Sequence, residues 1–130
     1  MPEEVSKTSL WFGRIISLLA ILFLLFDAII HLSKPPAVIQ GFSQMGYSLS
    51  VITPLAIIEL IAIILYIIPK TSVFAAILLT GYLGGAVDAN VRAGNSLFGF
   101  ILAPVYLGIL IWLGLYLRSR KIQSLVPIKN

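Results

Sequence analysis

Three acids fall inside long apolar runs of this chain: Asp27, Glu59 and Asp88. A carboxylate in hydrocarbon is costly unless it is protonated, paired or reached by water, so such acids face one another or a polar cavity. Two of them have a basic group four residues later, Asp27 with His31 and Asp88 with Arg92, a spacing that stacks the side chains on one helix face. By helical rise each of these two acids lies about 5 to 7 Å below the end of its run, and Glu59 lies near the middle of another. This set can hydrogen-bond a small polar or quinone-like ligand, or relay protons through Glu59. A metal site built from Asp27, His31, Glu59 and Asp88 has acceptable oxygen and nitrogen donors, but the ligands follow no spacing motif and no metal is expected. No nucleophile and base recur in a catalytic arrangement, so no catalytic residue is assigned and the chain reads as non-enzymatic or accessory.

The elements that position these groups follow from composition. The 130 residues are 59% hydrophobic and 11% charged, too little polar surface to coat a soluble globule. A bilayer span takes roughly 20 apolar residues, and four stretches come close: 10–32, 49–68, 73–91 and 97–117. The expected architecture is all-α: one transmembrane domain over residues 1–130, a four-helix integral membrane bundle. The first run has no small-residue cleavage pattern after it, so it reads as a span and not a removed leader.

Of the nine Lys and Arg residues, Lys7, Arg14, Lys70, Arg118, Arg120, Lys121 and Lys129 fall on one side of a four-span topology, and Lys34 and Arg92 on the other. The positive-inside rule then makes both termini cytoplasmic. The basic tail suits anionic lipid, and nothing resembles a nucleic-acid module. Without cysteine, and with one histidine, thiolate metal ligation and a haem held by two histidines of this chain are excluded.

Between the first two spans, "AVIQGFSQMGY" places Val38, Ile39, Phe42 and Met45 at helical spacing, predicting a short amphipathic helix in the first outer loop. Pro54 predicts a kinked extra turn at the start of the second span and Pro104 a kink in the fourth. Thr71 or Ser72, and Ser96, are candidate helix caps. Tyr66, Trp11, Phe12, Trp112 and Tyr116 are expected at the inner interface, and Tyr47, Phe98 and Phe100 at the outer one.

Small residues suggest where helices approach. Gly81 and Gly85 form GxxxG, and with Asp88 and Arg92 they make one stripe along the third span. Gly13, Ser17, Ala20, Leu24, Asp27 and His31 make a similar stripe on the first. With Gly84, these glycines are the expected packing positions of a bundle tight on its cytoplasmic half and open into a polar pocket outside. The pocket is expected to be lined by Asp27, His31, Glu59, Tyr82, Asp88, Arg92 and Tyr106. The Asp88 and Arg92 pair also reads simply as a local ion pair reaching the headgroups.

"FDAIIHLSKPPAVIQGFSQMGY", "IELIAIILYIIPKTS", "ILLTGYLGGAVDANVRAG" and "PVYLGILIWLGLYLR" together resemble the DoxX-like family of small bacterial membrane proteins. The matching positions are Asp27, His31, Lys34, Pro35, Glu59, Pro69, Gly81, Tyr82, Gly84, Gly85 and Arg92. The resemblance implies a four-helix bundle in the bacterial cytoplasmic membrane with both ends inside. Some relatives in the wider group are named as membrane subunits of quinone-linked sulfur oxidation, and others resemble assembly chaperones. It therefore leaves four roles open: a ligand-binding accessory protein, a redox subunit beside a membrane partner with a quinone, a proton or solute relay, and a chaperone, any of them alone or as a homo-oligomer. The chain departs from the family where many relatives read GYLGGAVATHVR, with Asp88, Ala89 and Asn90 in place of Ala, Thr and His. Positions 88 and 90 point to nearly opposite faces, so a pocket on the face of Asn90 would turn Asp88 away.

Overall fold

The computed structural model describes residues 5–127, so Lys129 lies outside the described residues. Six α-helices follow in order: α1 (Lys7–Ser33), α2 (Pro36–Gln44), α3 (Ile52–Ile67), α4 (Ser72–Arg92), α5 (Ala103–Arg118) and α6 (Arg120–Leu125). α1, the stretch Leu49–Ile67 through α3, the stretch Pro69–Arg92 through α4, and the stretch Leu97–Arg118 through α5 are each long and apolar enough to cross a membrane. They form an all-α four-helix bundle in which α1 touches α3 and α5, and α4 touches the same two. The Ser9 hydroxyl donates to Leu117 O, so the start of α1 and the end of α5 share one end of the bundle, and α2 caps the other, where its Phe42 meets His31.

The bundle is apolar on its outside as well as within. α1 leaves Trp11, Ile15, Leu18, Leu22, Phe26 and Ile29 exposed, a broad stripe at helical spacing that only lipid covers at low cost. Its opposite face buries Gly13, Ser17, Ala20, Leu24 and Ala28, the small stripe expected from the sequence as far as Leu24. α3 buries Ala56, Glu59, Ala62 and Tyr66 on one face.

The helix junctions are held by backbone caps and side-chain oxygens. Ser6 caps α1 by accepting from the Ser9 backbone N–H, and Lys34 closes it in the left-handed region at φ 51. A 3-10 turn, Leu49–Val51, precedes α3 and supplies the extra turn ahead of Pro54. At the hairpin, Thr71 and Ser72 do not cap α4. The Thr71 hydroxyl donates to Leu65 O at 2.6 Å and the Ser72 hydroxyl to Tyr66 O at 2.8 Å, satisfying carbonyls left over at the end of α3. Ser96 likewise makes no side-chain cap. A π-helical turn, Leu97–Ile101, begins the last span, and Pro104 sits in the first turn of α5, where the missing N–H costs nothing.

Contact is closest where α1 crosses α5. A Cβ added to Gly13 would come within 2.8 Å of the Gly114 carbonyl oxygen, and one on Gly114 would strike the Ser17 hydroxyl and stand 3.0 Å from the Ser17 backbone nitrogen. Close backbone approach of this kind is what small residues give membrane helices, which lack a hydrophobic drive to associate. The expected role of Gly81, Gly84 and Gly85 is not met in this bundle: a Cβ on any of the three has open space around it. The glycine that completes the seam is Gly114, which the sequence reading did not single out.

Candidate functional site

Four of the expected pocket residues come together at the end of the bundle that carries α2. Asp27 and His31 project from α1, Glu59 from α3 and Tyr82 from α4. His31 Nδ1 stands 3.1 Å from Asp27 Oδ2, one helical turn away as the four-residue spacing requires. The Tyr82 hydroxyl donates to Glu59 Oε1 at 3.3 Å. Asp27, His31 and Glu59 each present one potential ligand atom, and these atoms all lie within 4.8 Å of one another.

Burial grades across the group. Glu59 is 1% exposed, whereas the Asp27 side chain is 45% exposed and opens the cluster to the surroundings. Two buried polar atoms of this group take no hydrogen bond: Glu59 Oε2 and His31 Nδ1. The imidazole nitrogen is thus near Asp27 but off the line of a hydrogen bond. A carboxylate oxygen in an apolar interior without a partner is expensive, and Glu59 has no Lys or Arg paired with it among the described residues.

α2 forms the roof. Its Phe42 is buried, meets the His31 ring edge-on at 5.4 Å and 81°, and lies 5.9 Å from the Tyr47 ring. Phe42, one of the apolar residues of the amphipathic pattern, therefore holds the imidazole by an edge-to-face contact of the kind aromatic rings favour. Tyr47 acts here against Phe42.

Asp88, Arg92 and Tyr106 are not brought into this group. Asp88 and Arg92 pair with each other at 3.4 Å on an open helix face, with side chains 73% and 58% exposed. The local ion-pair reading is the one the geometry matches, and the stripe drawn through Gly81, Gly85, Asp88 and Arg92 runs along the outside of the bundle. The inward face of α4 passes instead through Tyr82 and Asn90, two turns apart. Asn90 is partly buried, donates to Ala86 O at 2.8 Å and accepts from Asn95 at 2.7 Å, which ties down the loop after α4. Tyr106 is exposed on α5.

The sequence reading missed a second polar group at the opposite end. Tyr66, expected at the interface, is fully buried. Its hydroxyl donates to Ile111 O at 2.6 Å and shares a 3.2 Å hydrogen bond with the Ser17 hydroxyl. Arg118 lies over the Tyr66 ring with its guanidinium carbon 5.3 Å from the centroid, a cation–π contact. The signal available in sequence was that Tyr66 continues the Ala56, Glu59 and Ala62 face by one turn. A groove of about 360 Å3 lies apart from both groups, on the flank between α4 and α5, lined by Thr80, Gly84, Val87, Pro104, Gly108 and Trp112 among others. Across it Trp112 donates to the Thr80 hydroxyl at 2.7 Å.

No curated protein and no solved structure matches the chain. The model of the DoxX-like family matches residues 15–114, from the third turn of α1 to the Gly114 seam, and takes in Asp27, His31, Glu59 and Tyr82. The chain belongs to the DoxX-like family.

Proposed function

We propose that this protein is an accessory membrane protein that binds a small polar or quinone-like ligand at the outer end of its bundle, with Asp27, His31, Glu59 and Tyr82 as the binding groups. The observation that carries the reading is convergence: one acid, one imidazole, a second acid and a phenol, from three spanning helices, meet at one end of a largely apolar bundle. Polar groups that fix a ligand within an apolar frame are the usual content of a small-molecule site. With Arg92 turned away, two acids and one imidazole favour ligands that donate hydrogen bonds or carry positive charge, such as a quinol hydroxyl, over free acids. Lys7, Arg14, Lys70, Arg118, Arg120 and Lys121 gather at the end holding the termini, which supports placement in a bacterial cytoplasmic membrane with that end inside.

The test is thermal stabilisation of the full chain in lipid nanodiscs by a short-chain benzoquinol and by small amines and alcohols. Stabilisation by at least one of these, abolished by Asp27→Asn and by Glu59→Gln but retained in Asp88→Asn, is the expected result. No stabilisation by any of these probes, or equal stabilisation of the Glu59→Gln protein, overturns the reading. A proton relay is the second reading, and the unpartnered Glu59 Oε2 favours it. Proteoliposomes in which native and Glu59→Gln proteins carry equal proton flux would eliminate it.

A further inference from the structure

Proton, organic head group and metal ion make different demands on the same four side chains. Hydrogen-bonded partners line up donor to acceptor, whereas ligand atoms converge on a point none of them occupies. The group at the α2 end has the second character. Asp27, His31 and Glu59 place one donor atom each within 4.8 Å of the others, and two buried atoms of the set, His31 Nδ1 and Glu59 Oε2, satisfy no hydrogen bond. The cluster is separate from the α4 and α5 groove, and its donor atoms, within 4.8 Å of one another, are spread somewhat wider than the ligands of a bound ion. Three donors around a zinc-like ion with bonds of about 2.1 Å stand roughly 3.4 Å apart in tetrahedral geometry, so closure takes side-chain rotations of an ångström or so.

Charge points the same way. A buried carboxylate, Glu59, meets a half-exposed one, Asp27, and Arg92 at the end of α4 is engaged by Asp88 on the outer face. A dication balances both acids at once, and the mixed oxygen and nitrogen donor set suits zinc, manganese or ferrous ions over magnesium or calcium. Supporting contacts are in place around the donors: the Tyr82 hydroxyl holds Glu59 Oε1, and the Phe42 ring edge holds the imidazole. Such outer contacts orient ligands and raise affinity.

We propose that Asp27, His31 and Glu59 form a three-ligand site for a divalent transition-metal ion beneath α2, with its open position on the exposed Asp27 side. The proposal rests on the reading of this cluster as a binding site and names its occupant. It replaces the expectation from sequence alone that no metal binds: spacing within one helix could not show that α3 delivers Glu59 to the Asp27 and His31 pair.

The experiment uses the untagged full chain in nanodiscs, stripped with chelator and titrated with Zn2+, Mn2+ and Co2+, with Mg2+ as the control. One equivalent of ion bound per chain is expected, with d–d absorption on Co2+ loading. His31→Gln, Asp27→Asn and Glu59→Gln should each weaken binding at least tenfold, Tyr82→Phe about tenfold as a supporting residue, and Asp88→Asn not at all. Helicity and melting temperature of each variant establish folding, and His31→Gln, at the rim of the group, serves if Glu59→Gln does not fold. Absence of Zn2+, Mn2+ and Co2+ binding overturns the metal site, as does undiminished binding in Glu59→Gln or His31→Gln. If those ions fail while the benzoquinol still stabilises in a Glu59-dependent way, the binding-site reading stands without the metal. If ions and organic probes all fail, both fall.

Discussion

The two ends of this bundle use their polar groups differently. At the end where α1 starts and α5 stops, Tyr66, Ser17 and the Ile111 carbonyl satisfy one another, α1 and α5 touch through Gly13 and Gly114, and Arg118, whose Nε and Nη2 are buried without a hydrogen bond, lies over the Tyr66 ring. At the α2 end, Glu59 Oε2 and His31 Nδ1 are buried and take no hydrogen bond, and Asp27 stands half open. Hydrogen-bonded polar groups in a membrane bundle hold helices together, each worth little but specific. What sets the α2 end apart is that two acids, an imidazole and a phenol gather there, and intramembrane ionisable residues are read first as functional. One end therefore joins α1, α3 and α5 by hydrogen bonds and close backbone contact, and the other brings ionisable side chains of α1 and α3 together.

The sharpest way to break that contrast is to fill the seam. Gly114→Leu, with no space for a Cβ against Ser17, is expected to destabilise by about 3 kcal/mol, at the upper end of overpacking costs, measured by denaturant unfolding in micelles. An unchanged midpoint would show that α1 and α5 are not held there. Tyr66→Phe removes one hydroxyl from two partners and should cost about 1 kcal/mol in the same assay. Glu59→Gln is expected to raise the melting temperature slightly, because it removes a buried carboxylate lacking a full set of partners; a strong fall would mean that Glu59 fastens helices as Tyr66 does. Arg92→Gln, at an exposed pair, should shift stability by less than about 0.5 kcal/mol, and a larger loss would place Arg92 in the cluster after all.

The contrast also explains what could be read from the chain beforehand. Helix number, spans and the α2 roof follow from hydrophobic periodicity and length, which the bilayer constrains tightly. Asp27, His31, Glu59 and Tyr82 stood out because ionisable or phenolic groups within apolar runs have few places to go. The orientation of α4 did not, because its buried and exposed faces are almost equally apolar: Ala76 and Leu79 are buried while Phe74 and Ile77 are exposed. Hydrophobicity marks no inside when lipid covers the outside, so the glycine stripe and the charged pair suggested the wrong face. Gly114 was hidden for a related reason: a single glycine in a run of large apolar residues carries no sign of which helix will lie against it.

The order in which the helices touch bears on how the protein is made. Asp27, His31, Glu59 and Tyr82 all belong to the first three spanning helices, whereas the hydrogen bond from the Ser9 hydroxyl to Leu117 O bridges 108 positions of sequence. Domains fold from the N-terminus as synthesis proceeds, so the acids can find each other while the ribosome is still producing α5. The last helix then closes a ring around chemistry already gathered.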